Sequence, residues 1–166
     1  IVGNRDFVFW TGPVIDFNGH GTHVSGTVAQ STNNNLGYAG IAFGAKIMPL
    51  KVCLSFWDIQ ILQAESGVTG YPPINVGGCP TSAVIAAVRY AADNGAKVIN
   101  LSLGGTDASP ADQDAMNYAL ARGVFVAMSA GNEFEDGNPG TYPASSGKLV
   151  AGAMAVGAVA PVFYTH

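Results

Sequence analysis

DFNGHGTHVSGTVA, residues 16–29, sets His20 between two glycines at the head of a stretch with helical spacing. Glycine on both sides lets a substrate backbone come close and allows dihedrals that other residues avoid. A helix over about His20 to Gln30 would carry the ring on a rigid element. Imidazole is the side chain best suited to take a proton near neutral pH. His20 is therefore a candidate general base. The plain alternative is a histidine that caps a helix after a turn. Another is a metal pair with His23, three residues on, for which the sequence offers no third ligand cluster.

The 166 residues suit one domain and are too few for two ordinary ones, so residues 1–166 read as a single, partial domain. The chain is 48% hydrophobic and 11% charged, which implies a large core. Net charge is -4 with no Lys/Arg cluster, which argues against nucleic acid and anionic membranes as partners. The longest apolar run, LVAGAMAVGAVAPVF (149–163), is shorter than a membrane span and glycine-bearing, so it reads as a buried strand with its flanks. Cys53 and Cys79 read as a disulfide of a secreted protein, with two unrelated thiols as the alternative.

Downstream the pattern alternates. AKIMPLKV (45–52) reads as a buried strand, and residues 53–80 as a long loop. TSAVIAAVRYAADNG (81–95) is helical, with Thr81 or Ser82 as cap and Asn94-Gly95 as stop. AKVINLSLGG (96–105) is a strand, SPADQDAMNYALARG (109–123) a second helix, VFVAMSAGN (124–132) a strand, and the run after Leu149 a third. Strands and helices at this spacing predict an α/β fold, a parallel sheet flanked by crossover helices. Ligands of such sheets lie beyond the C-terminal strand ends, here SLGG (102–105) and SAGN (129–132).

GHGTHVSGTVA, AGIAFGAKIMPLKV (39–52), AADNGAKVINLSLGG (91–105), GVFVAMSAGNEF (123–134), YPAS (142–145) and AVGAV (155–159) together resemble the subtilisin-like serine peptidases, the subtilase family, in the family's own order. The likeness covers most of residues 18–160. It implies a subtilisin-like sheet, incomplete at both ends, in a secreted endopeptidase that takes protein or peptide substrates. His20 would be the base of a Ser-His-Asp triad, and Asn132 the side-chain donor to the oxyanion. Ser102, Leu103 and Gly104 would pair with the substrate backbone, and Ala130 and Gly131 would line the pocket for the residue before the scissile bond. Tyr142-Pro143 would be cis. STNNNLGYAG (31–40) resembles the family's calcium loop, with Ca2+ held by Asn34 and the carbonyls of Thr32, Leu36 and Tyr38. A solvated Asn-rich turn is the alternative.

Two family blocks have no match. Asp6 and Asp16 are the only acids before His20, neither lies in an Asp-Ser/Thr-Gly block, and both read as surface acids. Nothing corresponds to the family's Gly-Thr-Ser-Met-Ala block. The Thr-Ser-Ala of GCPTSAV (78–84) falls at a helix start, where Thr81 and Ser82 serve as caps rather than as a nucleophile. The expectation is thus a chain that holds base, oxyanion donor and substrate strand, with serine and aspartate supplied by segments on either side. A catalytically dead peptide-binding module of the same fold is the rival.

Overall fold

A computed structural model describes residues 1–9, 13–67 and 78–158 of the chain. It divides into two compact units, Ile1–Ala87 and Val88–His166.

In the first unit, β1 (Arg5–Asp6) and β2 (Leu50–Lys51) run parallel, with Arg5 beside Leu50 and Asp6 beside Lys51. The strand expected over 45–52 is laddered only at those two residues. Pro49 accepts from the Arg5 amide at 3.1 Å but has no N–H to return, which cuts the ladder short. Asp6 is buried rather than a surface acid, because the Val8 and Phe9 amides donate to its Oδ1 at 2.7 and 3.0 Å. Burying a carboxylate is tolerable only when its oxygens are partnered in this way.

Helix α1 spans His20–Ala29, as its pattern predicts. The chain then folds back on it. The Ile41 and Ala42 amides donate to the carbonyls of Thr27 and Val28 at 3.1 and 2.7 Å, satisfying groups that a helix end leaves orphaned. Gly40 makes this return possible, since a Cβ there would stand 2.3 Å from the Gln30 nitrogen.

The expected loop over 53–80 contains a helix instead, α2 (Phe56–Ser66). Its start is a capping box. Ser55 Oγ accepts the Asp58 amide, while Asp58 Oδ2 accepts both the amide and the hydroxyl of Ser55 at 2.7 Å. Its stop is Gly67 at φ 65. The remainder of that expected loop, 68–77, lies outside the described residues. Cys53 and Cys79 are bonded to each other, and the Leu54 amide donates to Gly78 O at 2.9 Å beside them. A cross-link spanning 26 residues restricts the unfolded chain and is worth about 3.5 kcal/mol on the chain-entropy account.

Helix α3 (Thr81–Asp93) begins one residue earlier than a Thr81 cap requires. Pro80 takes the cap position, its carbonyl accepting from the Ala83 and Val84 amides. Gly95 ends the helix at φ 81, and the Ala96 amide closes back on Ala91 O.

The second unit holds a three-stranded parallel sheet in the order β3 (Val98–Leu101), β4 (Phe125–Ser129), β5 (Ala153–Val156). Helix α4 (Pro110–Leu120) makes the first crossover, with Ser109 before Pro110 at its start. The second connection carries a 3-10 helix, Ala144–Leu149, in place of a full α-helix. Strand alternation sends Ile99, Leu101, Val126 and Met128 into a core with Met116 and Ala119 of α4. On the other face Val98, Phe125, Met154 and Val156 stay exposed. Parallel sheets are normally covered on both faces, so this is the expected α/β fold in partial form. Of the expected apolar run, 159–163 falls outside the described residues. No helix among the described residues is long and apolar enough to cross a membrane.

Candidate active site

His20 is the first residue of α1 and is exposed. Gly19 precedes it at φ 87, a left-handed turn that a side chain would strain. No side chain caps the helix from Gly19. Asp16 supplies the cap from further upstream. Its Oδ1 accepts the Asn18 and Gly19 amides at 3.2 and 2.9 Å. Its Oδ2 accepts the amide and hydroxyl of Thr22 at 2.8 and 2.7 Å. Asn18 Oδ1 accepts the His20 amide at 3.2 Å, which completes the turn. Asp16 is exposed, as expected, yet it organises the turn before His20. The sequence signal was the acid four residues before the histidine, followed by Asn and Gly.

Partial burial pushes the Asp16 carboxyl up, but the hydrogen bonds from Thr22, Gly19 and Asn18 outweigh it and hold the pKa below the ordinary 3.8. A carboxyl lowered by folding stabilises the fold at pH above its unfolded pKa. That contribution fades as pH falls through the lowered folded value. We therefore expect Asp16→Ala to cost about 1 kcal/mol near pH 7, in the range of a lost helix cap. The cost should vanish in strong acid, once pH has fallen below the lowered folded value. Thermal melts of the two proteins at both pH values check this, and a deficit that persists in acid would contradict the capping role.

Thr32, Asn34, Leu36 and Tyr38 lie in the turn-rich segment after α1. Asn33, Asn35 and Gly37 have left-handed backbone, φ 57, 57 and 61. The four residues named as donors alternate with these positions. Asn34 Oδ1 accepts the Leu36 amide at 3.0 Å. Among the described residues no cluster of three His, Cys, Asp or Glu could hold a metal, so the pairing of His20 with His23 gains no third ligand there.

In the second unit the sheet brings two of the expected segments together at its C-terminal end. Ser102, Leu103 and Gly104 follow β3, the outer strand of its sheet. Ser129 Oγ, at the end of β4, donates to Leu103 O at 3.4 Å. Asn100 Nδ2 donates to Ser102 Oγ at 2.9 Å. Ala130 continues from β4, its amide donating to Val156 O at 2.8 Å. Gly131 turns the chain at φ 104, and a Cβ there would meet Glu133 Oε2 at 2.3 Å and Thr141 Cγ2 at 3.0 Å.

Thr141 links both segments, and sequence reasoning missed it. Its Oγ1 donates to Ala130 O at 2.9 Å, while a Cβ on Gly104 would lie 3.5 Å from its own Cβ. Next to it Gly105 and Tyr142 exchange amide–carbonyl bonds at 2.9 Å in an antiparallel bridge. Tyr142-Pro143 is cis. Asn132 has its backbone amide bound by Glu133 Oε2 at 2.7 Å. Its exposed side-chain amide makes no hydrogen bond among the described residues. Long-range contacts of this kind leave no local pattern. The only available hint for Thr141 was its place just before YPAS.

A family model described as the subtilase family, Peptidase_S8, matches residues 11–161. The extracellular protease of Xanthomonas campestris is 37% identical over 161 residues, which cover 93% of this chain and 25% of that protein. Thermitase of Thermoactinomyces vulgaris is 38% identical over 152 residues, 91% of this chain and 46% of its own length. The solved structure of sphericase superposes with a TM-score of 0.67 at 29% identity, covering 92% of this chain and 46% of that one. The chain thus spans half or less of each of these proteins.

Proposed function

Because the chain belongs to the subtilase family of subtilisin-type serine proteases, we propose that it forms the central part of an endopeptidase that cleaves protein or peptide substrates by acyl transfer. The carrying observation is the C-terminal end of the three-stranded sheet. There the Leu103 and Ala130–Asn132 segments are held together by Ser129 and Thr141, at the place where parallel sheets bind ligands. The serine and aspartate of the triad come, in this reading, from sequence outside these 166 residues, none of which matches either family block.

In the reaction the serine Oγ bonds to the scissile carbonyl carbon and passes its proton to the His20 ring. The carbonyl oxygen becomes an oxyanion, and the Asn132 amide donates to it. Collapse of the tetrahedral species breaks the C–N bond, and His20 returns the proton to the departing amine. Water repeats the sequence on the acyl-enzyme. Ser102–Gly104 offer an outer backbone edge along which an extended peptide adds as a further strand. Secretion is supported by the Cys53–Cys79 bond, which needs an oxidising compartment, and by a relative named as an extracellular protease.

The test is labelling of the full-length protein with a fluorophosphonate beside a peptide-hydrolysis assay. One adduct, on a serine outside these residues, with hydrolysis is the expected result. Peptide binding with neither adduct nor turnover would replace the enzyme with the binding module.

Calcium belongs to the same proposal. Asn34 and the carbonyls of Thr32, Leu36 and Tyr38 are all oxygen donors, the chemistry a hard cation takes. They supply four of the six to eight oxygens calcium uses, so other groups or water complete the set. Calcium at a hundred times its Kd should add about 2.7 kcal/mol of stability. A chelator should therefore lower the Tm of the full-length protein, and Asn34→Ala should shrink that response. A Tm indifferent to chelation would remove calcium from the account.

A further inference from the structure

We propose that Lys51 is a positioning residue for His20: from β2 it grips the segment that carries the Asp16 turn. The inference rests on the reading of His20 as the catalytic base.

The Lys51 side chain is 9% exposed, so its ammonium must be satisfied by the protein. Nζ donates to Asp58 Oδ1, the carboxylate whose other oxygen closes the capping box of α2. Asp6 Oδ2 stands 4.0 Å away, across the β1–β2 pair. These two anions fix where the ammonium sits. Of its three other contacts, one is the Phe9 ring, 5.4 Å from Nζ, and two reach back to the segment before α1. Nζ donates to Ile15 O at 3.1 Å. It also lies 5.2 Å from the centre of the Phe17 ring, within cation–π range.

Ile15 and Phe17 flank Asp16, and Asp16 receives the amides of Asn18, Gly19 and Thr22. The mechanical path is short. Asp6 and Asp58 hold Lys51, Lys51 holds residues 15 and 17, and Asp16 between them holds the first turn of α1, where His20 stands. Neither Lys51 nor Phe17 is needed to satisfy a group of α1 itself. A general base works only within hydrogen-bond reach of the proton it removes, and a displacement of about 1 Å costs about 100-fold in rate.

The experiment uses the full-length protein with Lys51→Met, Phe17→Ala and, as control, Gln60→Ala on the exposed side of α2. The control alters α2 at an exposed position and leaves Lys51 with all of its partners. Phe17 is 40% exposed, so its alanine variant keeps the test alive if Lys51→Met does not fold. The first readout is amide hydrogen exchange over residues 18–23. We expect faster exchange there in Lys51→Met and Phe17→Ala, and wild-type exchange in Gln60→Ala. The second is kcat per fluorophosphonate-titrated site, expected to fall about 100-fold in Lys51→Met with KM within about twofold. Unchanged exchange at 18–23 in both grip variants overturns the proposal. So does a loss of titratable sites with kcat per site intact, since that marks plain destabilisation. A wild-type protein that takes no label overturns the peptidase reading instead, and exchange at 18–23 still decides whether Lys51 holds the histidine turn.

Discussion

Replacing His20 with alanine in the full-length protein should lower kcat by about a million-fold while leaving KM nearly unchanged. The size is subtilisin's own, carried over by family membership. The direction and the selectivity follow from where His20 sits. The residue is exposed at the first position of α1. Alanine is also the better helix former. The Asp16 turn that organises this end is built on backbone amides and Thr22, none of which the substitution removes. The fold should therefore survive with its Tm intact, and the substrate strand at 102–104 should still bind. What disappears is the group we propose takes the serine proton, and without it the remaining parts of a triad contribute little. The fluorophosphonate reaction needs the same proton transfer, so labelling should slow in step with kcat. A loss smaller than about tenfold, with the fold intact, would mean that His20 is a helix-start histidine and that the base lies elsewhere.

Much of this architecture could be read directly from residues, and the reasons for the exceptions are physical. α1, α3, α4 and the three strands of the second unit announce themselves through periodicity, glycine stops and short connections. Helix α2 does not. Phe56, Trp57, Ile59, Ile61 and Leu62 spread round the helix instead of lining one face, and Phe56 and Trp57 remain exposed. Only the Ser55–Asp58 box and Gly67 mark its ends, and both were hidden within a segment that reads as loop. Asp6 was misjudged for a related cause. Besides the amides of Val8 and Phe9 it faces Lys51, which is distant in sequence and meets it only through the parallel register. The candidate site divides in the same way. His20, Asn132 and the segment after Leu101 sit in recognisable local blocks. Ser129 and Thr141, which bond to Leu103 and Ala130, act on residues 26 and 11 positions away. No window along the chain contains such a contact.

Asn132→Leu is the complementary experiment, because it removes a donor and nearly preserves shape. The surrounding backbone is held independently of that side chain. Ala130 is bonded to Val156 O at 2.8 Å and receives Thr141 Oγ1 at 2.9 Å. Gly131 occupies a left-handed conformation with no room for a Cβ beside Glu133 and Thr141. Glu133 engages the Asn132 amide nitrogen of the backbone at 2.7 Å, leaving the side-chain amide as the group the turn presents. Leucine should thus leave the turn in place and the ground-state peptide bound. Kcat should fall by about 100- to 1,000-fold, or about 2.7–4 kcal/mol of transition-state stabilisation, a figure again measured on subtilisin. KM should stay within about twofold, because the donor meets full negative charge only after the serine has attacked. Asn132→Asp should lose at least as much near pH 7, where a carboxylate faces the oxyanion with charge of the same sign. The split between kcat and KM is the deciding feature. A rise in KM with kcat preserved would show that Asn132 holds substrate in its ground state, and the oxyanion role would then pass to another donor.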